Sequence, residues 1–333
     1  GGVLLFRQAA KGAVDPAVRL IFDTDIMGDV DDVGAVAVLH ALANRGEAEI
    51  LAMGVCAKHA YSPLCLDALN HYFRRPSVPI GVNKGEGFLR ESKYAEAIAT
   101  GWQRKLSSAG QAPEAAALYR RVLAAQPDAS VVMVSVGQLS NLAALLETGP
   151  DEASALNGEQ LARRKVRAWV CMGGRFPEGV ESNIRNHATA ARQALARWPG
   201  RIIFSGWELG VEVLTGGRLR ALPESSPVRR AYELYNGIQP HKSWDQTAVL
   251  YAVRYLNRPH LGPWELGAAG VCEVDEKGGN TWRAAADGPH HYLLPREPPA
   301  EAARMIEDLM MEQPHGGDRQ SRRNAFADQC KVV

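Results

Sequence analysis

Leu20-Ile21-Phe22-Asp23-Thr24-Asp25-Ile26-Met27-Gly28-Asp29-Val30-Asp31-Asp32 is the stretch that decides how the rest of the chain is read. A short apolar run is followed by five carboxylates in ten residues, and these lead into Val33–Leu42, which is apolar with helical spacing. A buried strand that ends in acids and turns at once into an apolar helix is the opening of a strand–helix–strand unit. In an open α/β sheet, ligands bind outside the carboxyl ends of the strands, which is where these acids fall. Carboxylates this dense repel one another and raise each other's pKa. Keeping them ionised near neutral pH calls for a cation, and hard oxygen donors select Ca²⁺ or Mg²⁺ over softer metals. The plain alternative is a solvated acidic turn capping the next helix. One cap uses one or two acids, not five, so the metal reading is preferred.

The alternation continues away from this segment. Ile50–Val55 reads as the second strand, Pro63–Phe73 as a helix and Val78–Gly81 as a third strand. Residues 83–112 are polar and glycine-containing, with Tyr94 and Trp102 taken as their large anchors, and read as a lid-like excursion beside the site. Helices are expected over Glu114–Ala125, Ser140–Leu146, His187–Arg197, Gln246–Tyr255 and Glu301–Met311, and strands over Ser130–Val136, Val166–Cys171 and Ile202–Phe204. Cys272–Val274 and Thr281–Arg283 are expected to pair as a hairpin across Lys277-Gly278-Gly279-Asn280. Strands alternating with helices predict one α/β domain with an open, mainly parallel sheet flanked by helices. Its expected bounds are residues 18–313, after a leader extension at 1–17 and before a polar tail at 314–333.

The bulk composition limits the partners. The 333 residues carry a formal net charge of +1, with 46% hydrophobic and 23% charged residues, as in a soluble globular protein. That balance gives no general pull toward nucleic acid or an anionic membrane. No run approaches the roughly 20 apolar residues of a membrane helix. A small molecule recognised by a local site is the expected partner. The start at Gly1-Gly2, without Met, leaves cytoplasmic and exported locations both open. Five scattered cysteines, with no Cys-x-x-Cys pair, read as free buried thiols rather than a zinc or redox centre.

The acidic segment resembles the N-terminal fingerprint of the inosine–uridine preferring nucleoside hydrolases, an Asp-x-Asp followed by an Asp-Asp pair and a small apolar helix. Its loop is two residues longer, as in a bacterial branch of that family. Three later segments fit in order: Val134-Ser135-Val136-Gly137-Gln138-Leu139-Ser140-Asn141, Met172-Gly173-Gly174 with Glu181-Ser182-Asn183, and Ser243-Trp244-Asp245-Gln246-Thr247-Ala248. The resemblance implies a Rossmann-like core, calcium-dependent hydrolysis of the N-glycosidic bond of nucleosides, and a homodimer or homotetramer. It implies that Ca²⁺ is held by Asp25, Asp32, Asp245 and the Val136 carbonyl, a set suited to the 6 to 8 oxygens calcium takes. It further implies Asp25 as general base toward an attacking water. Asp31, Met172 and Asn183 would lie at the ribose, and Glu181 at its 5′ end. Asn141 is expected to cap the helix after Gly137.

Two departures bear on the leaving base. Lys58 and His59 stand where many members have Gly-Asn, and Trp244 stands where many have His. Trp244 cannot give up a proton at neutral pH, though its ring can stack on a planar base. His59 and His241 are the imidazoles left as candidate acids. Two rival readings follow. A phosphotransferase of the haloacid dehalogenase type would use Asp23 as nucleophile with Mg²⁺, but leaves Asp31-Asp32 and Glu181-x-Asn183 without a role. A calcium-dependent nucleoside- or sugar-binding protein without turnover would keep the metal acids and dispense with the acid.

Overall fold

The computed structural model describes residues 16–314. Most of the expected leader at 1–17, and the expected tail at 314–333 beyond its first residue, lie outside the described residues. Along the chain the strands are β1 (Val18–Thr24), β2 (Ala48–Val55), β3 (Ile80–Val82), β4 (Val131–Ser135), β5 (Val166–Met172), β6 (Glu178–Val180), β7 (Ile202–Ser205), β8 (Leu214–Thr215), β9 (His241–Lys242), β10 (Trp264–Leu266), β11 (Gly270–Val274), β12 (Gly279–Ala284) and β13 (His290–Pro295). The helices are α1 (Asp31–Asn44), α2 (Ser62–Tyr72), α3 (Ala95–Gly101), α4 (Ala115–Ala124), α5 (Ser140–Glu147), α6 (Gly158–Lys165), α7 (Ser182–Arg185), α8 (Ala188–Arg197), α9 (Trp207–Gly210), α10 (Pro227–Asn236), α11 (Trp244–Leu250) and α12 (Pro299–Met310). No helix among the described residues is long and apolar enough to cross a membrane.

The main sheet runs β3-β2-β1-β4-β5-β7-β13-β11-β12-β6, with β10 paired to β13. Its first seven strands are parallel, and β11, β12 and β6 continue it antiparallel. Near-continuous apolar strands such as Val18–Thr24 and Val131–Ser135 suit a sheet covered on both faces. Alternate side chains divide between two cores. Leu20 and Phe22 pack with α1, α2, α11 and α12 on one face, and Ile21, Val131 and Met133 pack with α4, α5 and α8 on the other. Helix α1 is buried almost all round, from Asp31 to Leu42, because it lies between the sheet and α11 and α12.

From β1 the chain builds outward through β2 and β3, then crosses back to place β4 on the other side of β1. The strand order therefore reverses between β1 and β4, where an open α/β sheet leaves a crevice at its carboxyl ends. Asp23 pairs with Gly54 on one side and Ser135 on the other, so Asp25, Cys56 and Val136 emerge level with one another.

The expected elements form with small shifts at their ends, α6 and α10 arise where no helix was expected, and two further places differ. The helix expected over Gln246–Tyr255 is α-helical over Trp244–Leu250 and then widens into a π turn over Tyr251–Tyr255. The hairpin forms, with Cys272 opposite Trp282 and Gly278 in the left-handed region (φ +81°) at its turn. Beyond it, β13 returns to extend the parallel sheet beside β7, a strand that the His290-His291 pair and Pro295 hid from the sequence. Cys56, Cys65, Cys171 and Cys272 are free and buried, and Cys330 lies outside the described residues.

Candidate active site

The turn after β1 is held by its own first residues. Asp32 accepts from the Thr24 hydroxyl in a short contact and from the Ile26 amide at 3.0 Å, and the Ile26 amide also reaches Thr24 Oγ1 at 3.1 Å. Ser62, at the start of α2, donates to the Ile26 carbonyl at 2.7 Å. Asp31 and Asp32 open α1, and Asp245 lies in the first turn of α11. The Asp245 amide donates to Asp31 Oδ2 at 3.3 Å. Two helix N-termini thus bring their positive ends to the same group of acids.

Asp23 points the other way. It is fully buried beneath the turn, and its Oδ2 accepts from Tyr119 in a short contact and from Asn141 Nδ2 at 2.8 Å. Asn141 is therefore not the cap of α5, whose N-terminus has no side-chain cap. The buried Asp23 carboxylate takes the amide that a cap would have used. Asp23 also lies outside the cavity lining, which removes the nucleophile that the phosphotransferase reading requires.

A cavity of about 600 Å³, open to solvent, lies over the β1–β4 crevice. Its lining includes Asp25, Asp31, Asp32, Val136, Met172, Glu181, Asn183, Trp244 and Asp245, so nine of the ten candidate site residues share one space. His59 is the exception. It lines a separate surface pocket with Lys58, Asn83 and Lys84, its Nδ1 3.4 Å from Ser62 Oγ. Carboxylate oxygens of Asp31, Asp32 and Asp245 lie within 4.8 Å of one another. The resemblance gave Asp31 to the ribose and Asp25 to the metal. Here Asp31 stands inside the tight group, and Asp25 lines the cavity beside it.

Burial drives the protonation of these acids. Asp31, Asp32 and Asp245 are all raised well above the ordinary carboxylate range, first by desolvation and then by neighbouring carboxylates, Asp29 and Asp25 for Asp31, Asp25 and Asp31 for Asp32, and Asp31 and Asp32 for Asp245. Asp25 is pushed up to about 6 by desolvation, with Asp29 adding to the rise and the hydrogen bond from Gln138 opposing it. Gln138 Nε2 donates to Asp25 Oδ2 at 2.7 Å. Glu181 is pushed up to about 7 by burial, against amide bonds from Asn183, Gly174 and Ile184. Those bonds, at 2.8, 3.1 and 3.3 Å, make Glu181 the N-cap of α7 and tie that turn to the Met-Gly-Gly segment. Asn183 Nδ2 reaches the Met172 carbonyl at 3.2 Å.

Several lining residues carried no signal in the sequence reading. Phe88 and Arg90 come from the excursion at 83–112, which Tyr94 anchors by donating to the Asp29 carbonyl at 2.7 Å. Trp207 opens α9, and Trp244 donates its indole N–H to the Trp207 carbonyl at 2.8 Å. Asp29 also lines the cavity, where its Oδ1 accepts from Tyr235 at 2.9 Å. The aromatic side chains 83–112 and 207 offered no periodicity to read, and only docking brings them here.

An open α/β sheet whose switch point gathers buried acids, amide side chains and aromatic walls in one cavity defines a hydrolase-type ligand site rather than a phosphate-loop or dinucleotide site. The sequence profile of the inosine-uridine preferring nucleoside hydrolases matches residues 20–308, and the chain belongs to that family, whose members hydrolyse N-glycosyl compounds. Among solved structures, a plant nucleoside hydrolase superposes with a TM-score of 0.65 at 18% identity, covering 89% of this chain and 99% of its own. An inosine-uridine preferring nucleoside hydrolase from Bacillus anthracis gives 0.66 at 14%, covering 88% and 99%. A purine-preferring ribonucleoside hydrolase from Gardnerella vaginalis gives 0.65 at 16%, covering 88% and 98%. No curated protein sequence matches the chain.

Proposed function

We propose that the chain hydrolyses the N-glycosidic bond of ribonucleosides in a calcium-dependent reaction with Asp25 as general base. The observation that carries this reading is one cavity holding six carboxylates, two amide-bearing asparagines and aromatic walls at the β1–β4 crevice. The donor set fits a hard divalent cation. Three buried carboxylates crowd within 4.8 Å, their charges unfavourable together without a counter-ion, and no Cys or His lines the cavity. Asp32 and Asp245, with Asp25 and the Val136 carbonyl, would hold it, and Asp31 would sit between the cation and the ribose hydroxyls. When bound, calcium would neutralise these acids and polarise the water and hydroxyls beside it.

The chain's own residues account for the rest. Gln138 fixes one oxygen of Asp25, which leaves the other to take a proton from the attacking water. As the base departs, the ribose gains oxocarbenium character, and the fixed carboxylates beneath it stabilise that positive charge. Asn183 and Glu181, locked to each other and to Met172-Gly173-Gly174, would select the sugar hydroxyls by leaving acceptors stranded when a hydroxyl is missing. Trp244 and Phe88 present rings on which a planar base can stack. A panel of ribonucleosides incubated with calcium should release free base and reducing sugar in equal amounts. A chelator should stop the release and added calcium restore it. Tight nucleoside binding with no release would favour the calcium-dependent binding protein instead.

A further inference from the structure

The proposed reaction needs something to receive the electron pair that leaves with the base, and no imidazole lines the cavity. His59 lies in another pocket. His241 stands behind the lining: it packs edge-on against Tyr235 and Trp244, with centroids 5.0 and 6.1 Å away, and a ring nitrogen lies within 4.8 Å of carboxylate oxygens of Asp29 and Asp31, so those two acids stand between it and the cavity. One cation does line the cavity among six acids, and it is Arg90. Its backbone amide is held on Met27 Sδ at 3.1 Å, and its guanidinium carbon lies 5.7 Å from the Phe88 ring centroid. A Cβ on Gly28 would stand 3.0 Å from Arg90 Nη1, so the guanidinium passes over the acidic turn where that residue has no side chain. Among the described residues no ion pair or hydrogen bond occupies the guanidinium. The guanidinium lies beside Phe88, one of the rings on which a planar base can stack.

We propose that Arg90 is the group that stabilises the leaving base, and that its planar fork selects 6-oxopurines over adenine. The inference rests on the nucleoside hydrolase reading above. Water oxygen bonds to the anomeric carbon, and one water proton goes to Asp25. The carbon–nitrogen bond breaks with its electron pair on the ring nitrogen. In hypoxanthine or guanine that charge spreads to O6 and N7, two adjacent acceptors that a guanidinium meets with two parallel N–H bonds. The released base anion then takes its proton from solvent, so no acid on the protein is consumed. Adenine offers N7 beside an amino donor, which loses one bond and sets a donor against a donor.

The test compares inosine, adenosine and 4-nitrophenyl riboside, whose phenolate leaves as a stable anion without help, in wild type, Arg90→Met and Arg90→Lys, each checked for folding. Wild type should favour inosine over adenosine. Arg90→Met should lower kcat/KM for inosine by about 10²-fold, the scale of one preorganised donor. It should also bring inosine and adenosine close together and leave the nitrophenyl riboside nearly unchanged. Arg90→Lys keeps the charge but not the fork, so it should recover part of the inosine rate and little of the preference. Equal losses on all three substrates would show a structural role and overturn the assignment to Arg90 alone. A folded, calcium-loaded wild type that cleaves none of the three would overturn the nucleoside hydrolase reading, and this inference with it.

Discussion

Gly137→Ala is expected to disable Asp25 without removing any functional group. A Cβ at residue 137 would lie 2.7 Å from the Asp25 amide nitrogen, 2.9 Å from Asp25 Cβ and 2.6 Å from Cys56 Sγ. Ordinary contact begins at 3.4 Å, so the shortfall against the Asp25 nitrogen is 3.4 − 2.7 = 0.7 Å. The neighbour that must yield is backbone, and it is held on both sides, by β1 before it and by the Ile26 amide on Asp32 after it. Asp25 can retreat only by tilting away from Gln138 and the cavity. A misplacement near 1 Å can cost about 10²-fold in rate, so turnover should fall roughly 10- to 100-fold. Overpacking should cost about 1–3 kcal/mol of stability.

Steady-state sugar release and thermal unfolding, measured on the same preparations, check both effects. Gly149→Ala is the control, because nothing lies within 4 Å of the Cβ it adds. Adding Cys56→Ala to Gly137→Ala should relieve the sulfur contact and change the stability, but it should not restore turnover, because the Asp25 contact remains. A folded Gly137→Ala protein with wild-type kcat would refute the reasoning, and so would recovery of rate in the double variant.

Asp25→Asn keeps a carbonyl oxygen but loses the proton acceptor, and should lower single-turnover sugar release by at least about 10²-fold at saturating calcium. Asp29→Asn keeps an acceptor for Tyr235 and should change it by less than about tenfold; equal losses would mean the base is misassigned in the loop. Glu181→Ala and Asn183→Ala should each weaken ribonucleoside turnover while calcium titration stays close to wild type, and release of the metal by either would merge the sugar and metal roles kept apart here. His40 is fully buried, its pKa lowered by burial and the nearby Arg75 from 6.5 to about 3. Its folded pKa lies below its unfolded one, so the stability it contributes is complete above pH 6.5 and is lost as pH falls toward 3. At pH 5 that loss is 6.5 − 5 = 1.5 pH units, or about 2 kcal/mol, and the change in urea-unfolding stability between pH 8 and pH 5 should differ by about that amount between wild type and His40→Leu, the buried acids contributing equally to both.

The parts of the site visible in the sequence are those that answer to local physics. Five acids after a strand need an explanation wherever the chain folds, and Asp31, Asp32 and Asp245 do crowd together. The parts that escaped depend on what a loop docks against. Phe88 and Arg90 reach the cavity because Tyr94, buried far ahead of the helix expected from Glu114, bonds the Asp29 carbonyl and carries the excursion with it. His59 shows the converse. It follows the end of β2, level with the site in sequence, but Ser62 pins the start of α2 to the Ile26 carbonyl and leaves the imidazole in a different pocket. Asn141 was read by a capping rule that holds for an isolated helix, and the buried Asp23 took its amide instead.

The same contrast explains why the loop's acids split into two classes. Asp23 has Oδ2 held by Tyr119 and Asn141 while its buried Oδ1 has no partner, and burial pushes it up to about 6. Asp31, Asp32 and Asp245 have fewer donors for more charge, and they face one another across the start of two helices. Helix ends contribute about 0.3–1 kcal/mol each near a carboxylate, too little to offset several buried like charges. A group left so poorly balanced is stable only with a cation or with protons. Protons would remove the negative charge that an oxocarbenium-like sugar needs beneath it, whereas a cation keeps the carboxylates ionised. The acids that look most unfavourable in isolation are therefore the ones whose arrangement makes sense with a hard divalent ion, and Asp23, turned away from the cavity, stands outside that arrangement.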